Sequence, residues 1–297
     1  MATQASAITF LSTPGQAYHD GMGFIQFYFG LPFAMVIICL FFLPVYHKLK
    51  VYTAYEFLES RFDLRVRTLT ALLSLVQRGL AAGITIYAPA IILSVVLGWN
   101  LNVMVLLVGV LVITYTFIGG TKAVNVTQKQ QMFIIFLGMF MAFGFLLKSF
   151  PKGVSVFEAL KISGKAGKLE ILDFSIDPEN RYTFWSGLTG GLFLALSYFG
   201  TDQSQVQRYL SGKSLRESQM GLIMNGFLKI PMQFFILLVG VMVFVFYQFE
   251  PAPLNFNPKA LEIGRNSTSS NEFTTLELEN INTQKKIRTA LLKGSSQ

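Results

Sequence analysis

The sequence predicts an all-α polytopic membrane protein, and three observations support this fold class. Hydrophobic residues make up 52% of the chain, with 29 phenylalanines, whereas charged residues make up only 13%. Such a chain would expose large apolar patches in water, so a lipid bilayer is the better solvent. The apolar residues also gather into six stretches that reach the length of roughly 20 residues that a helix needs to cross the hydrocarbon core. Third, the Lys and Arg residues lie mainly in the segments between these stretches.

The six predicted spans are located by apolar runs and by the residues that interrupt or end them. Their approximate bounds are 22–46, 68–97, 101–120, 130–149, 182–200 and 218–248. The connection from Gly98 to Asn100 is so short that the second and third spans should form an antiparallel pair. Gly30 and Pro32 interrupt the first span, and Pro89 interrupts the second. Breaks of this kind are tolerated in a membrane only where protein or a water-filled cavity satisfies the freed backbone groups.

Positive residues in the short loops predict the orientation of the chain. The loops on one side contain Lys48, Lys50, Arg61, Arg65, Arg67, Lys122, Lys129, Arg208, Lys213 and Arg216. That side should face the cytoplasm, because Lys and Arg near the ends of spans are retained there. On the opposite side lie the long segment 150–181 and the C-terminal end, where acidic residues balance the lysines. We expect a multi-pass protein of the cell membrane, the inner membrane if the organism is bacterial.

Several other function classes do not fit the composition. The net charge of +8 is dispersed over the connecting segments rather than gathered into one basic stripe, so we expect no nucleic-acid partner. Cys39 is the single cysteine, which leaves no disulfide framework. His19 and His47 lie in different loops, without clustered Cys or carboxylates, and no G-x-S-x-G motif occurs. The sequence therefore predicts neither a catalytic site nor a catalytic metal.

Three separated segments carry a resemblance to a known family. They are "FLPVYHKLKVYTAYEFLESRF", "GGTKAVNVTQKQQ" and "SYFGTDQSQVQRYLSGKSLRESQMG". Together they resemble the sodium:solute symporter family, which includes sodium-coupled sugar, proline, pantothenate and sialic acid carriers. The resemblance extends to about Glu250, so residues 1–250 would be a transporter core, with a half-helix at 1–18, and residues 251–297 a polar tail. It implies part of an inverted-repeat fold of 5+5 helices, in which discontinuous helices surround a central site.

The half-helix at the N-terminus would supply a sodium site. In this family, backbone carbonyls of the first core helix bind a sodium ion, and the matching positions are Ala2 and Ala5, with Ser6 close by. Oxygen ligands suit a small hard cation, and a broken helix frees carbonyls to supply them. Thr9 matches a polar substrate contact of the family. The alternative interpretation is that these small residues only allow tight helix packing.

Tyr198, near the end of the 182–200 span, matches the aromatic inner gate that family members place beneath the substrate. The polar run from Thr201 to Arg208 would then be a solvated exit vestibule. Two plainer interpretations remain: Tyr198 as an aromatic-belt residue at the membrane interface, and the polar run as a cytoplasmic cap and loop.

The chain also departs from the family pattern. Thr127 is followed by Gln128, where the mid-chain signature commonly has an acidic residue. Sugar carriers place an amide and a carboxylate at positions that correspond here to Ala195 and the region 26–28, so a hexose substrate is disfavoured. The family completes its sodium site with hydroxyls from an eighth core helix, which this sequence does not contain. We therefore expect a fragment of a longer carrier, without its N-terminal and C-terminal helices.

Arg78 lies within the second apolar stretch, eleven positions beyond Arg67. At 1.5 Å per residue this places it about 16 Å along the helix, near the middle of a ~30 Å core. A charge at that depth usually faces a cavity or a partner. It would bind an anionic group of the substrate, pair with a structural carbonyl or carboxylate, or lie at the interface if residues 79–97 alone form the span. The substrate interpretation assumes that no acidic residue within the other spans can pair with it.

The predicted function is sodium-coupled symport of a small organic solute with an anionic group, by alternating access. Na⁺ would be the coupling ion, and the solute and the lipid bilayer the partners. The alternative is a non-transporting membrane sensor or regulatory module derived from the same fold. Transport predicts sodium-dependent uptake that an ionophore abolishes, whereas a sensor predicts binding without flux.

Overall fold

A computed structural model of the chain describes residues 7–49, 54–151, 153–177, 179–210, 212 and 214–294. All regular structure in these residues is helical, which confirms the all-α fold class. The α-helices are α1 (Ala7–Asp20), α2 (Gly30–Ile37), α3 (Leu43–Leu49), α4 (Ala54–Arg61), α5 (Leu64–Leu97), α6 (Leu101–Ser149), α7 (Val156–Lys165), α8 (Phe184–Gly200), α9 (Gln203–Leu210), α10 (Leu215–Phe249), α11 (Pro258–Arg265) and α12 (Ser270–Gly294). A 3-10 helix at Met22–Tyr28 precedes α2, and a π-helix at Ile38–Phe42 joins α2 to α3.

Five helical stretches within the described residues are long and apolar enough to cross a membrane. They are Met22–Leu49, Leu64–Leu97, Leu101–Gly120, Ala123–Ser149 and Leu215–Phe249. The remaining predicted span, 182–200, forms α8, which has 17 residues. At 1.5 Å per residue α8 rises about 26 Å, less than the ~30 Å of a typical hydrocarbon core.

The predicted third span ends at Gly120, and the structure has a kink there within α6 rather than a helix end. Gly120 has φ 54° and ψ −153°, a backbone conformation that a residue with a Cβ rarely adopts. The kink divides α6 into its two membrane-length stretches. The second stretch begins at Ala123, before the predicted start at 130, because the polar residues of its first turns remain helical.

The described residues divide into two compact units. The first contains described residues from 20–85 and 170–237, and the second contains described residues from 7–19, 86–169 and 238–294. The first unit holds the main buried apolar cluster, formed mostly by α2, the π-helix, α3 and the C-terminal half of α8.

Helix α8 packs against the 3-10 helix and α2 at backbone contact distance. A Cβ placed on Gly187 would lie 2.4 Å from the Gln26 carbonyl oxygen, and one on Gly191 would lie 2.3 Å from the Phe27 carbonyl oxygen. From the other side, a Cβ on Gly30 would lie 2.3 Å from the Leu192 nitrogen. Small residues at a helix interface permit such close approach, so these three glycines define how the two segments pack together.

Polar contacts connect the π-helix at Ile38–Phe42 to the N-terminal part of α10. Gln219 donates a hydrogen bond from Nε2 to the Cys39 carbonyl, at 3.0 Å, and the Cys39 thiol lies 3.6 Å from the Gln219 carbonyl. A side chain from a neighbouring helix therefore satisfies a backbone group in the segment where regular α-helical bonding is interrupted.

In the second unit, α1 continues through Pro14 and ends at Asp20, beyond the predicted end of the half-helix at residue 18. Gly240 of α10 allows Pro14 to approach closely, because a Cβ on Gly240 would lie 2.2 Å from the Pro14 carbonyl oxygen. Lys168 donates to the carbonyl of His19 near the end of α1, and its Nζ lies 5.0 Å from the ring centre of Phe244.

The C-terminal residues that the sequence assigned to a polar tail form two helices in their described part. Pro258 begins α11, a position where its missing N–H costs nothing, and Arg265 at the end of α11 forms a 2.8 Å ion pair with Glu277 of α12. Many residues of α12 are strong helix formers such as Leu, Glu and Lys, so a polar composition does not prevent a regular helix here.

Candidate functional site

The polar run after α8 caps the C-terminal end of that helix. The carbonyl of Gly200 accepts a 2.8 Å hydrogen bond from the Tyr46 hydroxyl, and the carbonyl of Phe199 accepts one from Tyr209. Burial raises the pKa of the Tyr209 phenol, so this residue stays a neutral donor. Carbonyls in the last turn of a helix lack intrahelical donors, and here two tyrosine hydroxyls donate hydrogen bonds to them.

Tyr198, the predicted inner gate, lies half-buried just before these capped carbonyls. Its hydroxyl oxygen accepts a 2.9 Å hydrogen bond from Nε2 of Gln205 in α9. The guanidinium groups of Arg78 and Arg208 both lie close enough to act electrostatically on the phenol. The structure therefore brings two of the predicted site residues, Arg78 and Tyr198, into one polar cluster at this end of α8. The role of Tyr198 as a gate stays a prediction.

Arg78 has a carboxylate partner in this structure. Nη2 of Arg78 forms an ion pair with Oδ2 of Asp202, which lies between α8 and α9. The structure thus shows the second of the predicted alternatives, a pairing of Arg78 with a structural carboxylate. Asp202 lies just after the 182–200 span, so the assumption about acidic residues within the other spans does not cover it. The contact of Arg78 with a substrate itself stays a prediction.

A buried polar stripe on α10 was not predicted. Asn225, Lys229 and Gln233 lie four residues apart along the chain, so they share one face of the helix. Their side chains are 6%, 1% and 0% exposed, respectively. The spacing itself, in "NGFLKIPMQ", could have found them, because three polar residues at i, i+4 and i+8 in an apolar span indicate a face turned towards protein or a cavity.

Lys229 and Gln233 have unused hydrogen-bonding capacity. Within the part of the chain that the structure describes, Nζ of Lys229 makes no hydrogen bond, and neither amide atom of Gln233 makes one. The ring of Tyr28 offers partial compensation, since its centre lies 5.6 Å from Nζ. Burying an amine without an acceptor is costly, so such a group usually has a functional or structural reason. Chemically, the arrangement offers a donor for an anionic ligand, with the Gln233 amide beside it.

Both side-chain amide atoms of Gln26, by contrast, form hydrogen bonds. Its Nε2 donates to the carbonyls of Tyr182 and Gly23, at 2.9 and 3.3 Å, and its Oε1 accepts from the backbone nitrogen of Asp173 at 3.1 Å. Hydrogen bonds from Ser175 in turn hold the pKa of Asp173 below its ordinary value. Gln26 therefore links the 3-10 helix to the segment before α8, and its amide is not available to a solute.

The remaining predicted site residues belong to other parts of the chain. Thr9 lies in α1 of the second unit, where it has bonding partners of its own. Ala2, Ala5 and Ser6 lie outside the described residues, so the predicted sodium ligands stay predictions.

The described residues have only helical regular structure, with membrane-length helices, a first span that contains 3-10 and π-helical segments, and buried polar groups on another span, which is typical of a secondary transporter. The model of the sodium:solute symporter family matches residues 1–283, and the chain belongs to that family. Membership and the membrane-length helices confirm the predicted multi-pass membrane localisation.

Two sodium-coupled transporters illustrate how similar the chain is to individual relatives. The chain is 34% identical to the human sodium/iodide cotransporter over 248 residues, which cover 83% of this chain and 38% of that protein. It is 38% identical to the human sodium-coupled monocarboxylate transporter 1 over 224 residues, which cover 75% of this chain and 36% of that one. The chain thus matches less than two fifths of the length of these curated relatives.

The fold matches a solved structure of a sodium-coupled sialic acid symporter in a substrate-bound, outward-open state. The TM-score is 0.75 at 27% sequence identity, and the match covers 99% of this chain and 62% of that one. This agreement confirms the prediction that the chain has part of a sodium-coupled symporter fold.

Proposed function

We propose that this chain acts in sodium-coupled symport of a small organic solute with an anionic group, and that Lys229 binds that group. Family membership supports sodium-coupled transport, and relatives of the chain include carriers of monocarboxylates and of iodide. The observation that carries the anionic character is the buried Nζ of Lys229, which lacks a hydrogen-bond acceptor among the described residues.

Lys229 is better placed than Arg78 to bind an anion, because among the described residues its charge is not already paired with a carboxylate. Arg78 already pairs with Asp202, so a solute would have to compete with a carboxylate that is held in place. Lys229 is 1% exposed and faces an aromatic ring rather than a carboxylate. A bound carboxylate would replace the hydration that Lys229 loses on folding, through a charge-assisted hydrogen bond.

The cation would bind at the N-terminal half-helix. We propose that backbone carbonyls of Ala2 and Ala5, with Ser6 close by, contribute oxygen ligands for Na⁺, and that Thr9 contacts the solute. The resemblance to the family supports these assignments, and hard oxygen ligands are the chemistry that Na⁺ prefers.

The proposal is tested by sodium-dependent binding and uptake of the full chain in liposomes, with propionate as the probe. We expect propionate to raise the melting temperature in sodium chloride but not in potassium chloride, because ligand that binds only the folded state stabilises it. We also expect uptake of labelled propionate that a sodium ionophore abolishes. Propionate binding without flux would favour the sensor alternative, and preference for an uncharged sugar would contradict the anionic character.

Ala5→Pro should abolish the sodium dependence. Proline restricts the backbone and reshapes the geometry of the neighbouring carbonyls, which would no longer converge on the cation. The measurement is the sodium concentration that gives half-maximal stabilisation by propionate, compared between the parent chain and the variant. A folded Ala5→Pro variant with unchanged sodium dependence would remove this half-helix from the site.

A further inference from the structure

The polar cluster at the end of α8 contains an ion pair that joins two helices. The two carboxylate oxygens of Asp202 have different partners. Oδ1 accepts hydrogen bonds from the backbone nitrogen and the hydroxyl of Ser204, at 2.9 and 2.8 Å, and Oδ2 pairs with Arg78 of α5. The first two bonds form an Asx-type cap at the start of α9, which fixes the orientation of the carboxylate.

The ion pair is partly shielded from solvent. The side chain of Asp202 is 13% exposed and that of Arg78 is 36% exposed. Ion pairs on the open surface contribute little, whereas loss of one partner from a shielded pair leaves an uncompensated charge. The pair therefore contributes more than a surface ion pair would.

The surroundings of Arg78 on α5 are open. Leu75, Val76 and Leu80 are 70%, 57% and 69% exposed, so little described packing surrounds the guanidinium on its own helix. Helix α8, in contrast, packs at backbone distance against the 3-10 helix and α2 through Gly187 and Gly191. A polar contact, rather than an apolar interface, thus connects α5 to the α8–α9 junction at this point, and such a contact can separate without opening a core.

We propose that Arg78 and Asp202 form a switchable ion pair that holds the α8–α9 junction closed beside Tyr198. In the closed state Arg78 is fixed by Asp202 and lies near the Tyr198 phenol, which is itself bonded to Gln205. Separation of the pair frees α8 and α9 to move away from α5. This role rests on the proposed transport function, in which the junction opens as the solute leaves.

The test measures how often the junction opens, with a buried cysteine as reporter. Gln205 in α9 is 5% exposed and lies against the Tyr198 phenol beside Arg78, so Gln205→Cys in a Cys39→Ala background should react slowly with a thiol reagent in the full chain in liposomes. Arg78→Gln and Asp202→Asn should each raise the labelling rate about tenfold, because each removes the same shielded pair. Their combination should raise it no further, since the second change removes nothing that remains.

A matched control removes another ion pair from the same helix. Arg67 of α5 pairs with Glu59 of α4, away from the junction, so Arg67→Gln should leave the labelling rate unchanged. Arg78→Gln keeps the Ser204 cap on Asp202 intact, so it tests the pair even if Asp202→Asn unfolds the junction. Unchanged labelling in Arg78→Gln, or effects of the two variants that multiply, would overturn the proposal.

The labelling test is independent of the solute. A chain that neither binds nor takes up propionate would contradict the proposed function, while accelerated and non-additive labelling would still support the ion pair as the element that closes the junction. Conversely, normal sodium-dependent uptake with unchanged labelling in Arg78→Gln would leave the transport function standing and remove the switch.

Discussion

Lys229→Met should weaken propionate binding strongly and at the same time raise the melting temperature. Methionine has nearly the shape of lysine but no charge, so it removes the anion's donor and also removes an amine buried without an acceptor among the described residues. We expect affinity to fall by about 10- to 100-fold, the range for loss of a hydrogen bond to a charged group. Replacement of buried ionic groups by apolar ones of similar volume is often stabilising by about 1–4 kcal/mol.

The opposite signs of these two effects distinguish a ligand-binding lysine from a structural one. Lys148→Met, which changes an exposed lysine in the last turn of α6, is the control and should alter neither quantity. Affinity is measured by titration with labelled propionate, and stability by thermal unfolding without ligand. A destabilised Lys229→Met variant would mean that the amine is paired within the folded protein, and unchanged affinity would exclude it from the site.

Gly191→Ala should strongly destabilise the first unit. The added methyl group would lie 2.3 Å from the Phe27 carbonyl oxygen, a backbone atom that cannot move without displacing the 3-10 helix. Overpacking at a rigid contact costs about 1–3 kcal/mol and occasionally more. Here the three atoms nearest to the added methyl group are all backbone atoms of Phe27. We expect a large loss of monodisperse protein and a melting temperature lowered by several degrees.

The neighbouring glycine provides the matched control for this prediction. A Cβ on Gly190 would meet nothing within 4 Å, so Gly190→Ala should be tolerated and should slightly favour the helix. Both variants have the same change in composition and helix propensity, so a difference between them reports only the contact. Equal stability of the two variants would contradict the close packing of α8 on the 3-10 helix.

The sequence was informative about membrane helices because long apolar runs have few alternative structures. A run such as residues 68–97 satisfies its backbone only as a helix in lipid, and it forms most of α5. Local backbone geometry was harder to predict from the sequence. The predicted third span ends at Gly120, but whether a glycine ends a helix or kinks it depends on the tertiary contacts of the neighbouring turns. The C-terminal polar segment formed helices that apolar periodicity does not reveal.

The sequence predicted individual site residues but not how they contact one another. The family resemblance predicted Tyr198, and the depth of a charge within an apolar stretch predicted Arg78. In the structure the two residues are connected through Asp202 and Gln205, which lie close to Tyr198 in sequence but far from Arg78. Lys229 was not predicted, although it lies within an apolar run as Arg78 does. Its own signal, polar residues repeated every fourth position along α10, needs no alignment and could be sought in any apolar span.

The π-helix at Ile38–Phe42 has a consequence for how residues are compared between relatives. A π-helical turn accommodates one more residue than an α-helical turn over a similar rise. Deletion of one residue here would restore an ordinary α-helix, whereas a deletion elsewhere in the same helix would rotate one end by about 100° relative to the other. A relative without the extra residue would need a one-residue gap at this point, and the equivalents of Tyr46 and of every residue up to the next gap would shift by one position.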